Sequence, residues 1–72
     1  MLGARFTGEV FVDGKRWDDP DGWLTGVADN NKRSVIRSLD LYVRTKLLPR
    51  WMAEHRLEFH ITDRDNGQTI II

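Results

Sequence analysis

His55 and His60 are the acid/base groups this chain offers near neutral pH. General acid/base work by either needs a second group within reach, and a metal site needs three or four ligands. Glu58 stands two residues before His60, so on an extended strand both side chains share one face. That pair is too small for a metal site, and a surface histidine is the simpler reading. Ser34 and Ser38 lie one helical turn apart, with no base that spacing would set beside them. Asp63-x-Asp65-x-Gly67 shares the start of a calcium loop but lacks the later ligands and the distal glutamate. With no cysteine there is no thiolate nucleophile, disulfide framework or thiolate zinc site. Neither a glycine-rich phosphate loop nor a His-Glu-x-x-His spacing occurs. The expectation is no catalytic residue, no metal and no cofactor, so a protein that is not an enzyme. A chain of 8.4 kDa also has little room to enclose a substrate pocket.

Binding chemistry is better supplied. The formal net charge is zero, but the charges are segregated. Residues 30–56 carry seven basic against two acidic side chains, a net +5. Residues 1–29 net −3 and residues 57–72 net −2. At about 100° per residue, Arg33, Arg37 and Arg44 fall on one stripe of a helix, opposite Leu39 and Val43 and beside Asp40. Such a stripe is either a solvated face or a contact for phosphates or an acidic partner. Leu41 and Leu48 also fall off the core face, next to the arginines, and Trp51 follows shortly after. Leucines beside an arginine row with a nearby tryptophan make a protein-docking patch. The acidic run Asp18-Asp19-Pro20-Asp21 reads first as turn chemistry and second as a surface for a basic partner. Trp17 and Trp23 bracket it, as core and rim packing or as a clamp on the turn.

The elements that must position these residues follow from periodicity. Residues Arg5 to Val12 alternate, with Phe6, Val10 and Val12 on one face and Gly8 marking a bulge or a close packing contact. Asp13-Gly14 then predicts a tight hairpin into Lys15-Arg16-Trp17. A third short strand is expected over Trp23–Ala28. Asp29-Asn30-Asn31 are helix-capping residues, and Val35, Ile36, Leu39, Tyr42, Val43 and Leu47 recur at helical spacing. Pro49 breaks that helix and opens a short reoriented turn, Pro49 to Arg56. Leu57, Phe59 and Ile61 alternate as a strand, and Asn66-Gly67 turns the chain into a last strand, Thr69 to Ile72. Three consecutive isoleucines predict a strand covered on both faces or central in the sheet.

The order β-β-(β)-α-β-β predicts a two-layer α+β domain spanning residues 1–72. Its antiparallel or mixed sheet of four or five strands packs on one long helix. This element order resembles that of β-grasp proteins, in which the first and last strands pair at the sheet centre. No motif accompanies the resemblance, and it implies no function.

A chain of 72 residues, 40% apolar, supports one modest core and no second domain. Met1-Leu2-Gly3-Ala4-Arg5 has no signal-peptide pattern, and no apolar run approaches membrane-spanning length, so a cytoplasmic protein is expected. The functional expectation is a small protein-binding module, a regulator or inhibitor of the kind found among phage and mobile-element accessory proteins. Its contact residues would be Arg33, Arg37, Arg44, Leu41, Leu48 and Trp51. The alternative is nucleic-acid binding through the arginine stripe, against which the zero net charge counts. A homodimer through an edge strand is also expected at high concentration.

Overall fold

The computed structural model describes residues 4–72, apart from the Thr25 side chain. Met1, Leu2 and Gly3, on which the reading of the N-terminus partly rests, lie outside the described residues. One helix, α1 (Lys32–Tyr42), packs on one face of a five-stranded antiparallel sheet. The strands are β1 (Phe6–Val12), β2 (Lys15–Arg16), β3 (Ala28–Asp29), β4 (Leu57–Asp63) and β5 (Thr69–Ile71). β1 pairs with β4 along its full length, and its other edge holds β2 at one end and β3 at the other. The order across the sheet is β2-β1-β4-β5. The α+β two-layer architecture is therefore as expected. The β-grasp pairing is not: β1 lies against β4, and the last strand sits at the edge.

Alternation puts Val10 and Ile61 under the helix, where they meet Val35, Leu39, Tyr42, Val43 and Leu47 in one buried cluster. Gly8 is the close contact that its position suggests. A Cβ added there would lie 2.6 Å from Val35 Cγ1 and 2.8 Å from Leu39 Cδ1. Its missing side chain lets the helix settle onto β1. The tight hairpin also forms, with Asp13 at φ 52° and Gly14 at φ 84°, the positive pair that a two-residue turn needs.

Asn31 caps α1, its Oδ1 accepting the Arg33 N–H at 2.9 Å. Beyond Tyr42 the helix widens into a π turn (Val43–Leu47) and then tightens into a 3-10 turn (Leu48–Arg50). The reason lies in Pro49, which has no N–H to close an α turn onto Thr45. The Leu48 N–H instead reaches back to the Val43 carbonyl. A regular helix would set Leu47 about 80° away from Leu39. The wider turn takes up that excess, and Leu47 is fully buried.

Three local expectations are corrected. The chain reverses at Trp51, whose φ of 69° is left-handed, and not at Pro49. A second 3-10 turn, Met52–Glu54, follows it in place of one turn from Pro49 to Arg56. Trp23–Gly26 is likewise a 3-10 turn and not a strand, leaving only Ala28–Asp29 paired to β1. There Asp19 captures the Leu24 N–H at 2.8 Å and the Asp21 N–H at 3.0 Å, which bends the chain before it can extend. Lastly, β5 is an exposed edge, with Ile70, Ile71 and Ile72 at 43%, 58% and 56% exposure.

Candidate functional site

Because Val35, Leu39 and Tyr42 turn α1 toward the sheet, its opposite side is held out to solvent. Arg33, Arg37 and Arg44 are all exposed there. Arg44 Nε donates to Asp40 Oδ2 at 2.8 Å. The Arg33 and Arg37 guanidinium groups are exposed and make no ion pair among the described residues, whereas the Arg33 backbone N–H is used in the cap. Leu41 and Leu48 are also exposed, and among the described residues Trp51 is the most exposed large apolar residue, at 83%. Trp51 closes the 3-10 turn in a left-handed conformation, φ 69° and ψ 17°. A bulky residue is disfavoured in that conformation, so Trp51 combines backbone strain with an unburied aromatic surface.

The structure adds a groove that the sequence pattern does not reveal. It holds about 300 Å³ and runs between the Trp23–Gly26 turn and α1, lined by Trp23, Val27, Ser34, Ser38 and Leu41 among others. Trp23 is half exposed on its wall. The Trp23 ring lies 6.4 Å from that of Tyr42, with Lys46 Nζ 5.2 Å above its centroid. Trp23 and Leu41 thus share one rim although 18 residues separate them in the chain. Only the tryptophan count hinted at this. A second groove of about 400 Å³ opens beside Gly8, Glu9, Arg16, Trp17 and Asp18. Both are open clefts on a chain too small to surround them.

The acidic turn divides into structural and exposed members. Asp19 points inward, accepting the Tyr42 hydroxyl at 2.9 Å while that hydroxyl accepts Trp17 Nε1–H at 2.9 Å. Trp17 and Asp19 therefore tie the turn to the helix through one buried oxygen. Asp18 is exposed, 3.4 Å from Arg16, which also meets Glu9 at 3.2 Å. Asp21 lies 3.6 Å from Arg50.

The remaining polar candidates are engaged within the fold. Asp63 takes two bonds from Arg5, Nε to Oδ1 at 3.1 Å and Nη2 to Oδ2 at 3.0 Å, in place of a calcium-loop role. Those bonds hold the Asp63 carboxyl below the usual aspartate range. Asp13 is held low by its hydrogen bond to His55 and next by the Arg56 N–H, which together pin the β1–β2 turn to the start of β4. His60 corrects the expectation of a surface histidine. Its side chain is 16% exposed and stacks on Phe11 with centroids 3.6 Å apart. Its Nε2 faces Glu58 Oε1 at 3.5 Å, as the shared strand face predicts, without forming a hydrogen bond. Among the described residues no helix is long and apolar enough to cross a membrane.

No family model matches the chain, and no curated protein or solved structure is detectably similar to it.

Proposed function

We propose that the chain is a small non-catalytic protein-binding module whose contact surface is the outer side of α1 and the turns after it. Trp51 carries this reading. The fold holds one of its three tryptophans 83% exposed, on a left-handed residue, where burial would stabilise the chain and glycine would relax it. Exposed tryptophan and arginine are the residue types that most often dominate binding energy. Arg33 and Arg37, exposed along with Leu41 and in no ion pair among the described residues, select a partner surface that is acidic with apolar patches. A module of this size acts by covering part of its partner, as a regulator or inhibitor does. Nucleic acid is the weaker candidate, since Leu41 and Leu48 interrupt the basic row and Asp40 neutralises Arg44.

Trp51→Gly is expected to raise stability by about 1 kcal/mol, because glycine tolerates the left-handed backbone. The same substitution is expected to weaken partner binding. Thermal denaturation measures the first effect. For the second, affinity capture compares wild type with W51G and with Arg33→Glu/Arg37→Glu, followed by salt-dependent binding of the purified captured protein. A protein retained by wild type and lost from both variants, with affinity falling as salt rises, supports the proposal. Capture indifferent to both variants rejects it. Salt-sensitive binding to labelled duplex or single strands moves the assignment to nucleic acid.

A further inference from the structure

The edge strand β5 is built as though it were internal. In its ladder with β4, Ile72 exchanges both backbone bonds with Phe59, at 2.9 and 3.0 Å, and Ile70 stands opposite Ile61. Antiparallel pairing alternates, so Ile70 and Ile72 direct their N–H and C=O groups to β4. Thr69 and Ile71 direct theirs to the free edge, where no strand lies beyond β5 among the described residues. β5 is short, at three residues, but it carries no charged side chain and no proline from Gln68 to Ile72, two devices that commonly guard a sheet edge. Isoleucine also lines both faces, the pattern of a strand covered on both.

We infer that β5 pairs antiparallel with β5 of a second copy about a two-fold axis at Ile70. In that register Thr69 of each copy stands opposite Ile71 of the other. Each such pair exchanges two backbone bonds, so every outward donor and acceptor of Thr69 and Ile71 is used. Ile70 meets its own counterpart at the close, non-hydrogen-bonded position on the helix side of the sheet. On the opposite face Ile71 packs beside the neighbouring Thr69, extending the layer that begins with Phe11 and His60. The result is one continuous sheet with β5 near its centre.

Charge selects a copy of this chain as the occupant. A two-fold interface sets a surface against itself, so it must be self-complementary. The Arg33/Arg37 row and the Asp18/Asp21 turn would each oppose like charges, whereas β5 opposes none. This surface lies on the free sheet edge and uses none of the residues assigned to the protein partner.

Sedimentation equilibrium and amide exchange from about 10 μM to about 1 mM test the pairing, a span covering weak specific association. The expected result is a monomer–dimer equilibrium, with protection of the Thr69 and Ile71 amides rising with concentration while Ile70 and Ile72 stay protected throughout. Ile71→Pro removes only an edge-facing N–H, leaves the β4 ladder intact and is expected to weaken dimerisation at least about tenfold. If I71P fails to fold, Ile71→Glu keeps the backbone and sets like charges close together across the axis, with the same expected loss. A chain that stays monomeric at the upper concentration overturns the inference. So does a dimer that a folded I71P or I71E variant leaves unchanged.

Discussion

Asp19→Ala is expected to lower the unfolding free energy by about 3 kcal/mol, since removing the carboxylate strands several donors at once. Oδ1 accepts from the Tyr42 hydroxyl and the Asp21 N–H, and Oδ2 from the Leu24 N–H. Tyr42 is only 1% exposed, so its hydroxyl has little water to turn to. Trp17 Nε1 is bonded to that same hydroxyl, and the loss propagates along the chain of bonds. A domain of this size has roughly 4–10 kcal/mol in total, so the melting temperature should fall by about 15 °C. Denaturation followed by circular dichroism measures it, and a variant within about 1 kcal/mol of wild type would show that the network is dispensable.

The same carboxylate has a pH signature. Burial pushes the Asp19 pKa up, but hydrogen bonds from the Leu24, Asp21 and Trp23 amides and the Tyr42 hydroxyl outweigh it, and the net shift is downward from 3.8. A folded pKa below the unfolded one contributes stability that is present above 3.8 and lost as pH falls through the folded value. Asp13 and Asp63 shift in the same direction, so the acid limb is shared among three groups. Asp19→Asn should flatten that limb in part while costing stability at neutral pH. An unchanged acid limb would remove Asp19 from the account.

Gly8→Ala is expected to cost about 2 kcal/mol, the range for forcing one methyl into a filled core. The new Cβ would press on Val35 Cγ1 and Leu39 Cδ1 at distances below 3 Å. Both side chains are essentially buried, at 1% and 0%, so neither has free space to enter. Alanine's lower unfolded-state entropy returns only about 0.5 kcal/mol of this. Adding Val35→Ala should relieve the clash, and the double variant should be less destabilised than the sum of the singles by about 1 kcal/mol. Strict additivity would mean the helix shifts freely on the sheet.

The architecture was legible because its signals are local. The two-residue period of β1 and β4, the positive-φ turn at Asp13-Gly14, the Asn31 cap and the apolar spacing of Val35, Leu39 and Tyr42 each depend on near neighbours in the chain. The outward position of Arg33, Arg37 and Leu41 follows from the same spacing, since whatever lies opposite a buried stripe is exposed. The places where expectation failed are those where distant residues compete for the backbone or the surface. The third strand gave way because Asp19 captures the Leu24 amide. The single turn from Pro49 to Arg56 gave way to two 3-10 turns joined at left-handed Trp51, and the π turn ahead of Pro49 is what brings Leu47 into the core.

Composition and periodicity by themselves determined a two-layer α+β domain, the core stripe of its helix and the segregation of its charge. Only the tertiary structure decided three further points: that Asp19 faces inward onto Tyr42, that Trp23 and Leu41 rim one groove, and that the triple isoleucine lies on an open edge. Periodicity reports which face of an element is apolar. Strand order, groove walls and side-chain hydrogen bonds such as Tyr42 to Asp19 join residues on different elements, and no local pattern encodes which of them meet.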